Sequence, residues 1–334
     1  MALREIIGQE RALRILFGTL RRNRVPSAVL LSGDTGIGKM RTAVNYAKAV
    51  NCLSPVEDDC CDHCPSCRKT DAGVHPDVIL LLPEEGEIKI DAIRRLEEVL
   101  SLRPFEGRRK VVIIDDADAM NLNAANAFLK TLEEPPSDSL ILLIASNPDG
   151  LPDTIRSRCI TIRLYPLSGE GCRKVLSGAV EDGALDAVLK LSMGRPGIAL
   201  SRDLAGEREW FLKLLRSMEQ GDAREVWEDK NAMKSWLDLA TLFLRDRVVF
   251  AVTGNESDLL YGADPGRHIR GASRNAGGGE GSSAGEQPDR VLGAAFEAYR
   301  ELLSLRSLLD FNLNKSISWN YVAQIMRSLM VHSY

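Results

Sequence analysis

Residues 33–40 read Gly33-Asp-Thr-Gly36-Ile-Gly38-Lys39-Met40. This is the G-x-x-x-x-G-K spacing of a phosphate-binding loop. Its glycines let backbone N–H groups close around phosphate oxygens, and a helix starting at the lysine adds its positive end. Gly33, Gly36, Gly38 and Lys39 are therefore the candidate residues for binding ATP, with Lys39 placed to reach the β- and γ-phosphates. Hydrolysis at such a loop needs a Ser or Thr hydroxyl at the next position to ligate Mg²⁺. Met40 stands there, and a thioether is a poor ligand for a hard cation.

A second chemical feature is the apolar run Val111–Ile114 ending in Asp115-Asp116. A strand that delivers a carboxylate at its C-terminal end is the Walker B arrangement, in which Asp115 would orient Mg²⁺ through water. Asp116 occupies the place of the acid that polarises the attacking water, and it is one methylene shorter than the Glu that commonly does so. Ala145-Ser146-Asn147 puts polar groups at the end of another apolar run, where a γ-phosphate would be sensed.

The third is a set of cysteines, Cys52, Cys61, Cys64 and Cys67, spaced C-x8-C-x2-C-x2-C. Four thiolates in so compact a stretch can close a tetrahedron around Zn²⁺, and the polar segment between them offers no core in which to bury free thiols. Cys60 and His63 are possible substitute ligands. With all four positions filled by protein, no position is left for water or substrate, so a structural zinc is expected.

These groups need elements to position them. Ala28–Leu31, Val78–Leu82, Val111–Ile114 and Leu140–Ile144 are continuous apolar runs of buried-strand type, alternating with helical stretches over 41–50, from an Asp91 N-cap, and over 122–134. Residues 1–27 read as helical, with a solvated basic end at Arg21, Arg22 and Arg24. The alternation predicts a parallel sheet with helices on both faces. From about residue 166 the pattern is wholly helical, broken at Gly194-Arg-Pro-Gly197, with helices near 207–219, 222–253, 289–312 and 317–332. The Gly- and Ser-rich stretch 263–288 reads as a disordered insertion.

The chain has 334 residues, 44% hydrophobic and 27% charged, with a formal charge of −4. That size supports two or three domains, and the charge argues against a generally basic nucleic-acid binder. The N-terminus lacks a signal-peptide pattern and no apolar run approaches the ~18 residues of a membrane span. A cytoplasmic protein without a membrane partner is expected, and its seven cysteines then point to metal or chance rather than disulfides.

Taken together, the loop Gly33–Lys39, the four cysteines, His75-Pro-Asp77, Val112–Asp118 with Met120, Ala124–Pro136 and Ser157-Arg158-Cys159 resemble the AAA+ clamp-loader subunits of bacterial DNA polymerase III. The likeness covers roughly residues 1–205 well and the C-terminal helices only by class. It implies an α/β fold: an AAA+ P-loop domain with a parallel sheet (1–165, zinc module at 52–67), a small helical lid (166–205) and an all-α collar (206–334). It also implies gamma/tau and delta subunits as partners in a hetero-pentamer that loads a sliding clamp onto primed DNA. By itself Arg158 is an ordinary surface charge. The resemblance makes it an arginine finger, supplied in trans to the γ-phosphate in a neighbouring subunit's site.

Active relatives carry Ser or Thr where Met40 stands, Glu where Asp116 stands, and a lid arginine near the Gly194–Gly197 break, where Arg195-Pro-Gly is more like the inactive subunit. A structural ring member with little or no hydrolysis of its own is therefore expected. The alternative is an ATP-hydrolysing motor subunit or another DNA-remodelling ATPase, in which Thr42 or a water replaces the missing ligand. A zinc-bearing nucleic-acid module is disfavoured, because the cysteine segment is acidic and lacks aromatic residues for base stacking.

Overall fold

The computed structural model describes residues 1–219, 227, 230–255, 259–261, 287–308 and 313–331. The chain divides into two compact units, one formed by residues 1–180 with 192–201, the other by 181–191 with 202–334.

The first unit is built on five strands, β1 (Ala28–Ser32), β2 (Val78–Leu81), β3 (Lys110–Ile114), β4 (Ser139–Ala145) and β5 (Ile160–Arg163). They are all parallel, in the order β2-β3-β4-β1-β5. Every residue of β1, β3 and β4 is buried, because both sheet faces are covered and successive side chains feed opposite layers. Leu30, Val112, Ile114, Ile141 and Leu143 join Phe128 and Leu132 of helix α5 (Leu122–Glu133) and Ile93 and Leu96 of α4 (Ile90–Ser101). Val29, Leu31, Val111, Ile113, Leu140 and Leu142 face Leu16 of α1 (Glu10–Arg21) and Tyr46 and Val50 of α2 (Lys39–Asn51). This is the parallel α/β sheet covered on both faces that the strand–helix alternation predicts, and the described part of the C-terminal region is helical.

Several local expectations are corrected. Within the first 27 residues a 3-10 turn at Leu3–Glu5 precedes helix α1, which ends at Arg21 ahead of the break at Pro26. Of the run 78–82 only Val78–Leu81 forms a strand, an edge strand paired with β3 alone, and its Leu80 and the following Leu82 are exposed. Lys89, not Asp91, is the N-cap of α4, and Asp91 sits in the first turn, where its charge still favours the helix dipole. Strand β5 is short, with only Ile162 buried, and four residues of Ile-Thr-Ile-Arg alternation are too few to mark a strand in the sequence. It is nevertheless tied in: Gln9, the N-cap of α1, donates to the Tyr165 carbonyl at 2.8 Å and accepts from the Tyr165 amide at 3.1 Å.

The remaining helices of this unit are α3 (Pro65–Asp71), α6 (Asp153–Arg156), α7 (Gly169–Leu176) and the short α9 (Pro196–Ser201), while α8 (Asp182–Ser192) belongs, up to Leu191, to the second unit. The second unit contains α10 (Leu204–Glu219), α11 (Lys230–Thr253), α12 (Gln287–Ser307) and α13 (Lys315–Val331). Its core is aromatic. Phe211 lies 5.6 Å, centroid to centroid, from both Trp236 and Tyr261 in tilted pairs, and Trp319 meets Trp236 edge-on at 5.9 Å. The insertion expected at 263–288 falls outside the described residues except for its last two, which open α12; the part of the 222–253 helix before residue 230 lies, apart from Trp227, outside them too.

Candidate functional site

The phosphate-type loop leaves the C-terminal end of β1 and enters α2 at Lys39. Gly36 and Gly38 have φ of +85° and +98°, left-handed values that a side chain would strain, so the loop's conformation depends on glycine at both positions. Lys39 is almost fully buried. Its Nζ donates to the carbonyls of Gly33 (2.6 Å) and Asp34 (2.9 Å) and to Ser146 Oγ (3.0 Å), which uses all its donors. Ser146 also accepts from Thr35 Oγ1 at 3.1 Å, so the polar end of β4 is part of the loop's own wiring. Burial pulls the Lys39 ammonium below its usual range, against the pull of Asp116 and Asp115.

Asp115 ends β3 as expected. Burial and the adjacent Asp116 raise its carboxyl above the ordinary value. Asp116 adopts φ 42°, a left-handed conformation that Asp tolerates, as it leaves the strand. Asp118 Oδ2 accepts from the Asn147 amide at 2.8 Å and so ties the Walker B segment to the end of β4. Met40 packs its thioether against the α1–α2 side of the core. The Thr42 hydroxyl donates to the Gly38 carbonyl at 2.9 Å inside α2, so it is already committed to the helix.

The break at 194–197 reaches the loop directly. Gly197 donates its amide to the Gly36 carbonyl at 2.8 Å, and a Cβ on Gly36 would lie 2.7 Å from the Ile198 side chain. The turn is held from below by Leu167, whose amide donates to the Gly194 carbonyl at 2.7 Å. Arg195 directs its Nε to the Ser192 carbonyl at 3.4 Å.

The four predicted cysteines converge. Their sulfurs lie within 4.8 Å of one another. A regular tetrahedron with ~2.3 Å metal–sulfur bonds has edges of about 3.8 Å. Cys52 lies 4.0 Å from Cys64 and 3.8 Å from Cys67, so the donor set fits a metal ion. The amides of Cys61, Cys64 and Cys67 point at the sulfurs of Cys52, Cys61 and Cys64 at 3.3–3.4 Å, as thiolates require. Burial raises the Cys52 and Cys67 thiols. Cys64, the N-cap of α3, is pulled down to about 6 because amide and thiol donors outweigh its own burial. The substitutes stand aside: Cys60 turns its thiol to Asp62 (3.5 Å), and the His63 ring pairs with the Cys61 carbonyl (2.7 Å).

Arg158 lies at the rim, just past α6. Its guanidinium donates to the Thr154 carbonyl (2.8 Å) and to Glu133 Oε1 (2.6 Å). It is remote in sequence from the loop, and none of its bonds goes to a loop residue.

One group escapes a reading by spacing. Asp77 is fully buried, and its carboxylate accepts the amides of Phe105, Glu106 and Gly107, each at 2.8 Å, with Lys110 at 3.5 Å. Despite burial these donors hold its carboxyl below the usual carboxylate range. Asn51 braces the same connection, exchanging both amide hydrogen bonds with the Arg109 backbone at 2.9 Å. The signal was the string His75-Pro-Asp77, whose partners lie too far along the chain to be inferred. Among the described residues no helix is long and apolar enough to cross a membrane.

A family model described as DNA polymerase III, delta subunit matches residues 8–168. The DNA polymerase III subunit delta' of Bacillus subtilis is 32% identical over 275 residues, 76% of this chain and 80% of that protein. The subunit delta' of Pseudomonas aeruginosa is 41% identical over 199 residues, 58% of this chain and 60% of that protein. Among solved structures, a DNA polymerase III gamma subunit-related protein of Thermotoga maritima aligns over 94% of this chain and 99% of its own, at 20% identity and a TM-score of 0.47.

Proposed function

This chain belongs to the family of DNA polymerase III delta-prime subunits, and from that premise we propose that it is a clamp-loader subunit that lends an arginine to a neighbour rather than turning over ATP itself. In this reading it joins gamma/tau and delta subunits in a hetero-pentamer within the polymerase III holoenzyme and helps place a sliding clamp on primed DNA. Residues 1–165 form its AAA+ module, 166–205 its lid and 206–334 the collar through which it associates. Arg158 is the group it contributes, in trans, to the charge developing on a γ-phosphate.

The observation that carries the proposal is the commitment of Lys39 to its own loop, beside a Met40 that packs into the core. Gly33, Gly36, Gly38, Lys39 and Asp115 would hold a nucleotide if one bound, and ATP would there supply only a ligand. A magnesium ion would find neither a hydroxyl at position 40 nor an exposed one at Thr42, which is fully buried. Losing one such transition-state group commonly costs ~10²–10³ in rate. The motor alternative needs Thr42 or a water as a replacement ligand, and the full burial of Thr42 in α2 speaks against the first. Cys52, Cys61, Cys64 and Cys67 are assigned to a structural zinc on their sulfur spacing and their all-sulfur donor set.

Steady-state ATPase of the purified chain tests this reading, with no turnover above background expected. A robust rate abolished by Lys39→Ala overturns it. In the reconstituted loader, Arg158→Ala is expected to leave assembly intact and to depress DNA-stimulated ATPase; unchanged activity removes Arg158 from the mechanism.

A further inference from the structure

We infer that Glu133 is a positioning residue for Arg158, holding the partly exposed guanidinium in one orientation so that it meets a neighbour's phosphate preformed. This rests on the reading of Arg158 as a group acting in trans.

The backbones of the two residues are fixed by the core. Glu133 is the last residue of α5, one turn beyond buried Phe128 and directly after buried Leu132. Arg158 follows α6, whose Ile155 is fully buried in the same apolar cluster, and Cys159 packs against that cluster on the other side. Two rigid elements thus bring a carboxylate and a guanidinium together across 25 residues of chain, at 2.6 Å.

The side chain would otherwise be free to swing. An exposed arginine carries substantial rotamer entropy, and a group acting across an interface must lose it before it can help. Two hydrogen bonds, to the Thr154 carbonyl and to Glu133, fix the guanidinium plane and leave three of its five N–H donors uncommitted. Those three can face phosphate oxygens while Glu133 stays in place, so the carboxylate orients the arginine without competing for its whole donor face. The nearby Arg156 marks the contrast. It is spent on Asp149 and Asp153 within its own segment, whereas Glu133 serves Arg158. The pair is partly open to solvent, with Arg158 35% and Glu133 50% exposed. Its value to folding is therefore small, which separates positioning from a structural role.

The test uses the loader reconstituted from this chain with its gamma/tau and delta partners, clamp and primed DNA. DNA-stimulated ATPase is measured for wild type, Glu133→Ala, Glu133→Gln, Arg158→Ala and the double variant, with assembly and thermal midpoint as controls. Glu133→Ala is expected to lower kcat roughly tenfold with KM for ATP unchanged, against the ~10³-fold or larger loss that removal of a trans arginine can cost. Glu133→Gln, whose amide oxygen still accepts, should recover most of that loss. The double variant should match Arg158→Ala alone, because a positioning residue has nothing left to position. If Arg158→Ala is damaging and Glu133→Ala leaves kcat unchanged or raises it, Glu133 is not a positioning residue. Additive losses, or a loss that follows failed assembly, overturn the inference too. If Arg158→Ala itself is silent, the trans-arginine reading fails first, and the two failures are distinct.

Discussion

Gly197 donates its amide to the carbonyl of Gly36 at 2.8 Å, which joins the N-terminus of α9 to the tip of the phosphate-type loop within one compact unit. Backbone approaches backbone so closely that a Cβ on Gly197 would lie 2.8 Å from the Gly36 oxygen and 2.9 Å from its Cα. Only two glycines can make this contact without displacing the loop.

Gly197→Ala is therefore expected to open the contact and to destabilise this unit by about 1–3 kcal/mol, the range for forcing a methyl into a filled site. Hydrogen exchange resolved to the loop 33–38 would report faster exchange there. Protection equal to wild type would mean that the turn yields without cost.

Met40→Ser restores a hydroxyl at the metal position but removes a partly buried thioether from the core. The expected outcome is a stability loss of about 1–2 kcal/mol, below the full-burial range for methionine, without gain of ATPase, because Lys39 remains tied to Gly33, Asp34 and Ser146. Turnover appearing in Met40→Ser would show that the missing ligand alone silences the site.

Replacing Cys64 and Cys67 with Ser should release one zinc per chain and loosen residues 52–67, while the helices of the second unit keep their protection. Elemental analysis and hydrogen exchange read the two effects. A wild-type protein found free of metal would end the assignment.

Asp77→Asn leaves the amides of Phe105, Glu106 and Gly107 with a weaker acceptor and Lys110 without its carboxylate. Hydrogen bonds to a charged group are worth about 1.5–3 kcal/mol each before compensation, so a loss of about 2–4 kcal/mol is expected in chemical denaturation. The sign with pH follows from the depressed carboxyl of the folded state. The stabilisation is complete above the unfolded value of about 3.9 and is lost as pH falls through the lower folded value. The difference between wild type and Asp77→Asn should be constant near neutrality and shrink below about pH 4. A difference that stays constant in acid would show that charge is not what holds the 105–107 turn.

What the sequence determined by itself is local. Fixed spacing put Gly33 to Lys39 on one turn and four thiols within one loop. Continuous apolar runs marked β1, β3 and β4, because strands buried on both faces need no alternation. Periodicity in the same way placed most of the helices. The tertiary structure alone decided what depends on partners far along the chain. It made β2 an edge and paired β5 with β1. It bound the Asp77 carboxylate to three distant amides, laid Gly197 on Gly36 and set Glu133 against Arg158. Each of these is a contact between segments whose own sequences carry no record of the other, and folding creates it only when the core fixes both backbones. The chemistry of the loop was legible as residue types. Whether Lys39 faced outward or into its own loop was settled by burial and by the hydroxyl of Ser146 at the end of another strand.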